Sequence, residues 1–267
     1  MPSKLKPQPI VTLTTDFGTS DHFGGVMKGV ILGICPDARV VDITHECAAF
    51  DTTDAAFTIA QAYPYFPPRT AHVVVVDPGV GTSRRPILIE AAGQFFVGPD
   101  NGVFSFVLSQ ETCSVRAITN SKYFLEPVSQ TFHGRDIFAS VAAHLVKGVA
   151  PARIGEPVED FLRPRSIKPD RTARRGWTGT ILKVDRFGNV ITNFLAADFT
   201  RVLEGPFEMA VGLQEVTRLA RNYEQFGPGE LFTIVGSSGY FEISASQASA
   251  AKILGVVAGA PVELRIF

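Results

Sequence analysis

An acid, a cation and an imidazole are the residues of this sequence best suited to acid–base work. Asp77 ends the apolar run of residues 73–76, Arg84 closes the DPGVGTSR stretch after it, and His133 stands within TFHGRD. Such a set can hold and deprotonate a water molecule: arginine keeps the carboxylate ionised, and histidine relays or shares the proton. The blander alternative for the Asp77 stretch is a strand-to-loop corner with a solvated acid and an ordinary salt bridge. No serine or cysteine lies in a nucleophile-elbow context, which disfavours covalent acyl transfer.

A second set lies near the C-terminus, in DRFGN and SSGYFE. Asp185 and Glu242 offer carboxylates to an ammonium, while Asn189 and the serines Ser237 and Ser238 offer neutral hydrogen bonds. Two tight turns of a β domain would read the same way and are the simpler account. A metal reading would draw on Asp16, His22, Asp42 and His45, but no H-E-x-x-H or comparable spacing supports it.

These residues need a scaffold. Four consecutive valines, Val73 to Val76, predict a strand buried on both faces, as in the middle of a parallel sheet. Ile10 to Thr14 predicts a strand leading through a polar loop to a helix over Phe23 to Ile34, stopped by Pro36. Asp16, Asp21 and His22 then fall on a loop at the carboxyl end of a strand, the edge where open α/β sheets bind ligands and where Asp77 also falls. Further strands are expected at Arg39 to Ile43, Pro86 to Ala91, Phe95 to Gly98 and Val115 to Ile118. Helices are expected over Asp51 to Tyr63, from Val103, and after His133, with Ile137, Val141 and Leu145 on one stripe. Phe50, just before the second helix, reads as a hydrophobic staple or as a stacking surface for a flat ligand. The loop after the first strand lacks G-x-G-x-x-G, and its Asp-Phe-Gly has no kinase motifs around it.

From Asp160 to Gly176 the apolar pattern lapses into an arginine- and proline-rich run of the kind that links domains. Short alternating runs punctuated by glycine follow. The expected architecture is an α/β domain over 8–165 with a mainly parallel central sheet, then a smaller all-β, barrel-like domain over 176–267. A formal net charge of −1 gives no basic excess for nucleic acid, and no apolar run is long enough to span a bilayer. The start, MPSKLKPQP, has no apolar segment behind its lysines and reads as a frayed tail, not a secretory signal. Three cysteines without a C-x-x-C pair fit a reducing cytoplasm.

Read in order, TLTTDFGTSD, VVDITHE, VVVVDPGVGTSRR, GPDNG, TFHGRD, VDRFGNVITN and SSGYFEIS make a longer pattern. From about Val11 to the C-terminus the chain resembles the S-adenosyl-L-methionine hydroxide adenosyltransferases, hydrolase relatives of the S-adenosylmethionine-dependent fluorinase and chlorinase. The resemblance implies hydrolysis of S-adenosylmethionine to adenosine and methionine, without cofactor or metal, by a homotrimer that holds its small-molecule substrate between neighbouring subunits. It implies that Asp77, Arg84 and His133 hold the water and that Asp16 binds the ribose, with Asp21 and His22 in the adjoining substrate loop. Asp185 and Asn189 would contact the methionine side with Phe187 beside them, and Ser238 and Glu242 would be further substrate contacts. Phe50 stands where the fluorinase has a tryptophan near the nucleoside.

The alternatives are a chlorinase-like halogenase and a nucleoside-binding protein without turnover. A halide nucleophile needs a pocket of hydrogen-bond donors, and a buried carboxylate at Asp77 would repel it. In the halogenases the matching position looks like tyrosine. This sequence also lacks the halogenase insertion near Gly93 and has Gly134 where the fluorinase has serine, although the chlorinase resembles this chain there. Asp77 therefore separates water from halide. The implied reaction is in-line substitution at the ribose 5' carbon with methionine leaving as a neutral thioether, so that no general acid is needed.

Overall fold

The computed structural model describes residues 8–163 and 167–267. The chain divides into two compact units, 1–165 and 166–267. Of the sequence expectations, the tail over residues 1–7 and the part of the linker at 164–166 lie outside the described residues.

In the first unit six strands form one sheet. They are β1 (Ile10–Thr15), β2 (Arg39–Thr44), β3 (Ala71–Val75), β4 (Pro86–Ala91), β5 (Gln94–Pro99) and β6 (Cys113–Ala117), in the order β2-β1-β3-β5-β4-β6. The pairings β1–β2, β1–β3 and β3–β5 are parallel, whereas β4 pairs antiparallel with both β5 and β6. The sheet is therefore mixed: the three pairings among β2, β1, β3 and β5 are parallel as expected, and the two made by β4 are antiparallel. The reason is local: Ala92 and Gly93 both take positive φ and turn β4 straight back into β5, a hairpin that leaves no length for a helical crossover. Val73 to Val76 are 0–3% exposed, so the valine run is buried on both faces as its composition demands.

Helix α1 (Phe23–Ile34) buries Gly24, Met27 and Ile31, a spacing that puts them on one stripe. Helix α2 (Thr52–Ala62) starts at Asp51, whose side chain accepts from the backbone N–H of Thr53 and Asp54. Helix α3 (Ser105–Gln110) is short, and α4 (Ser140–Val146) continues a single π-helical stretch, Gly134–Ala139. Ile137, Val141 and Leu145 are all buried in the core with Val73, Val75 and Met27.

The second unit is strand-rich. Its elements are β7 (Asp170–Ala173), β8 (Gly176–Val184), β9 (Val190–Leu195), α5 (Arg201–Glu204), β10 (Phe207–Val211), β11 (Gln214–Val216), β12 (Leu219–Ala220), β13 (Leu231–Val235), β14 (Tyr240–Ala245), α6 (Ala250–Leu254) and β15 (Pro261–Ile266). The hydrogen-bonded path runs β11-β10-β15-β8-β9-β14-β13-β12, with β7 beside β8. Among the described residues no ladder joins the two ends of that path, so it is a curled sheet and not a closed barrel. Two expectations change here. Residues 170–173, read as linker, pair with β8, and SSGYFE is not a turn alone, since Glu242 sits in the middle of β14 between β9 and β13. Charged residues hide the first because an edge strand needs no apolar face.

Candidate active site

The strand order reverses between β1 and β3: the chain leaves β1 for β2 on one side and later enters β3 on the other. Such a switch point opens a crevice beyond the carboxyl ends of the strands. In the parallel register Thr15 lies beside Val75, so Asp16 and Asp77 follow on neighbouring strands at the same edge. A cleft of about 240 Å³ lies there, lined by Asp16, Phe17, Phe50 and Asp77 and, on the far wall, by Thr131, Phe132, His133 and Gly134.

After β3 the loop folds back on itself through two turns, Val80 N–H to Asp77 C=O at 3.2 Å and Thr82 N–H to Gly79 C=O at 3.2 Å. Gly81 makes this possible: its φ is +77°, and a Cβ there would lie 2.3 Å from the carbonyl oxygen of Gln130. The loop returns Arg84 onto Asp77. Arg84 Nε donates to Asp77 Oδ1 at 2.8 Å and Nη2 to Oδ2, a bidentate pair, and Nη2 also reaches His133 Nδ1 at 3.0 Å. The two charged side chains are 9% and 5% exposed, and the guanidinium lies over the Phe138 ring at 5.2 Å. Arg84 Nη1 is buried with no hydrogen-bond partner among the described residues. The neighbouring Arg85 turns away and ties Asp100 to Asp160.

His133 precedes the π-helical turn, a feature that often re-aims a side chain at a functional site. Gly134 lets that turn lie against the end of β3, since a Cβ would meet Phe132 at 3.3 Å and Val75 at 3.4 Å. Burial, and then the Arg84 cation, lower the His133 pKa, while Asp77 and Asp136 pull it the other way. A guanidinium cannot accept a hydrogen bond, so His133 Nδ1 is the acceptor and the neutral ring carries its proton on Nε2.

Asp16 Oδ2 accepts the backbone N–H of Phe50 at 2.9 Å. Phe50 is 73% exposed with φ +65°, so it is no staple. Asp21 and His22 are exposed at the start of α1 and do not line the cleft; His22 instead packs on the Phe23 ring at 4.6 Å. The four residues of the metal reading are not brought together. Asp42 pairs with Lys28 and His45, and among the described residues no three His, Cys, Asp or Glu side chains are grouped to hold a metal ion.

In the second unit Asp185 is the centre of its turn. Its Oδ1 accepts from Phe187 N–H at 2.9 Å and Asn189 N–H at 2.8 Å, and its Oδ2 accepts from Asn189 Nδ2 at 2.9 Å. Phe187 is left 79% exposed at the tip. Glu242 is 6% exposed and packs over Gly236, where a Cβ would lie 1.7 Å from its Oε1. Burial, with Asp185 adding its charge, raises the Glu242 pKa against the opposing hydrogen bond from the Tyr223 hydroxyl at 3.2 Å. Ser238 Oγ is buried without a partner among the described residues.

Phe17, Thr131, Phe132 and Tyr223 were not among the sequence candidates. Phe132 lies inside TFHGRD, but an aromatic beside a histidine reads as core. Tyr223 sits in a stretch with neither alternation nor motif, so no signal marked it.

Residues 11–155 match the SAM hydroxide adenosyltransferase N-terminal domain and residues 179–263 the C-terminal domain. The chain belongs to the SAM hydroxide adenosyltransferase family. A Salinispora tropica protein named (R)-S-adenosyl-L-methionine hydrolase is 39% identical over 259 residues, covering 96% of this chain and 97% of its own. A fluorinase of Nocardia brasiliensis is more distant, at 24% identity with 97% of each chain covered. The crystal structure of an uncharacterized conserved protein from Thermotoga maritima superimposes with a TM-score of 0.89 at 36% identity, over 96% of this chain and 99% of that one.

Proposed function

We propose that this protein is an enzyme that hydrolyses S-adenosyl-L-methionine to adenosine and L-methionine, and that its preferred substrate is the (R) sulfonium epimer named for its relatives. The observation that carries the reading is the buried Asp77–Arg84–His133 constellation at the edge of the cleft. Because the His133 ring is a donor at Nε2, Asp77 is the acceptor for the proton of water. As the oxygen–carbon bond forms at the ribose 5' carbon, one water proton passes to Asp77. The carbon–sulfur bond breaks with its electron pair staying on sulfur, which becomes a neutral thioether. No acid has to protonate that leaving group, and no cofactor or metal is required. Holding the water in line supplies much of the rate. Chloride or fluoride would face the Asp77 carboxylate, which repels it.

In this reading the water site is joined by the loop after β1, with Asp16, Asp21 and His22, and by Phe50 on the separate loop before α2, which meet the nucleoside. Asp185, Phe187, Asn189, Ser238 and Glu242 are the candidate contacts for the methionine end, with carboxylates suited to its ammonium. The cleft of about 240 Å³ is below the ~300–1,000 Å³ usual for sites that enclose such ligands, and the Phe50 and Phe187 rings are exposed. Both features support a homotrimer with the substrate held between neighbouring subunits. Three cysteines without a C-x-x-C pair fit a cytoplasmic enzyme, and no helix of the described residues is long and apolar enough to cross a membrane.

The test is incubation with each sulfonium epimer, with and without chloride, followed by chromatography, alongside light scattering for the oligomer. Adenosine and methionine in equal amounts are expected. A 5'-chlorinated nucleoside would make the protein a halogenase, and bound substrate without product would make it a sensor.

A further inference from the structure

Phe50 occupies a backbone position that suits glycine. The turn Ala48–Asp51 is closed by Asp51 N–H to Ala48 C=O at 3.0 Å, and Phe50 is its third residue, with φ +65°. Glycine or asparagine normally fills that place, because a Cβ is crowded in the left-handed region. Three bonds hold the turn. Asp16 Oδ2 takes the Phe50 N–H, Asp54 Oδ2 takes the Ala48 N–H at 2.7 Å, and Thr15 C=O takes the Cys47 N–H at 3.1 Å. The ring contributes little to the core, being 73% exposed, yet it lines the cleft beside Asp16. A strained backbone that displays an aromatic ring without burying it gains the folded unit nothing, so the ring serves a ligand.

We infer that Asp16 and Phe50 are one coupled recognition element for a ribonucleoside: the carboxylate that takes the ligand's diol also holds the strained turn that stands the Phe50 ring at the cleft. A carboxylate has about four acceptor positions, so Asp16 can keep the Phe50 N–H while accepting from ribose hydroxyls. Losing the carboxylate removes the diol contact and frees the ring together. The inference rests on the nucleoside reading above and adds to it that the two contacts are not independent.

A double-mutant cycle on adenosine binding tests it, using the full chain, calorimetry and thermal unfolding. Phe50→Gly relieves the turn and removes the ring. It is expected to raise the unfolding midpoint by about 2–4 °C and to weaken adenosine binding about 10-fold, with the kinetic loss falling on KM and not on kcat. Asp16→Ala is expected to weaken binding by up to about 100-fold, and adding Phe50→Gly to it to cost less than about 3-fold more. Losses that multiply in the double variant would overturn the coupling. So would a Phe50→Gly variant that melts lower and binds adenosine as before, which would make the ring structural. Absence of adenosine binding by the unaltered protein would instead sink the nucleoside reading, and this inference with it.

Discussion

Arg84 grips both carboxylate oxygens of Asp77 and still has one nitrogen, Nη1, buried without a partner among the described residues. A buried donor left unmade costs free energy unless something accepts from it. Nε and Nη2 face Asp77, so Nη1 points away from the carboxylate, and only an acceptor on that far edge of the guanidinium can satisfy it.

Asp77→Asn preserves shape and removes the charge. Hydrolysis measured as adenosine release is expected to fall at least ~100-fold. Because Arg84 would stay buried without its counter-charge, the unfolding free energy is expected to drop by about 3 kcal/mol. A variant that kept full activity would end the assignment of Asp77 as proton acceptor.

The two adjacent arginines separate cleanly. Arg84→Lys loses the fork that meets Asp77 and the Nη2 contact to His133, and activity should fall at least ~10-fold, since lysine cannot reproduce a bidentate grip. Arg85→Lys alters only the partly exposed ties to Asp100 and Asp160, so kcat/KM should stay within ~2-fold of the unaltered enzyme. Equal losses at both positions would contradict the geometry.

His133 sets an acid limb. Its folded pKa lies below the ordinary ~6.5 of free histidine, because burial and Arg84 disfavour the imidazolium more than Asp77 and Asp136 favour it. A histidine kept neutral on folding contributes stability that is complete above the unfolded pKa and is lost as pH falls from there through the folded value. Protonation would also place an N–H against Arg84 Nη2. The pH profile of kcat/KM should therefore hold level down to about pH 6.5 and decline only below it; a His133-dependent decline beginning above that value would refute the tautomer argument.

Tyr223 and Glu242 make a prediction about KM. Burial, with Glu242 adding to it, pushes the Tyr223 hydroxyl up to about 12, so it remains a donor throughout the neutral range. Tyr223→Phe removes the bond that opposes burial at Glu242, whose pKa should rise further. An ammonium needs the ionised carboxylate. KM should then climb at a higher pH in the variant than in the unaltered enzyme, with kcat much less affected. Superimposed KM profiles would show that Glu242 does not meet the substrate.

His72 carries a stability signal away from the site. It is fully buried, bonded to Thr12 Oγ1 at 2.7 Å and Gln94 Oε1 at 2.9 Å, and stacked on Phe96. Burial lowers its pKa to about 4. Its neutral form contributes about 3 kcal/mol above pH 6.5, lost as pH falls toward 4. Denaturant unfolding between those values should show that slope, and His72→Asn should flatten it.

Much of this protein is written locally in its sequence. The valine run is apolar throughout because β3 lies between two parallel neighbours, and α1 runs over Phe23–Ile34 as its apolar spacing and Pro36 require. Asp16, Asp77 and His133 could be named because polar residues after strands and before helices are visible without coordinates. The motifs likewise sufficed for the family. Tertiary structure decided the rest, because the deciding contacts join residues distant in sequence. Arg84 and not Arg85 reaches His133 because Gly81 admits the Gln130 carbonyl, a contact no local pattern encodes. The Phe50 ring stands exposed because Asp16, across the strand edge, holds its N–H. Tyr223 joined Glu242 from a loop without motif, and the antiparallel β4–β5 hairpin made the sheet mixed. Composition and periodicity report which face a residue must bury; only the folded chain determines which two side chains share a hydrogen bond.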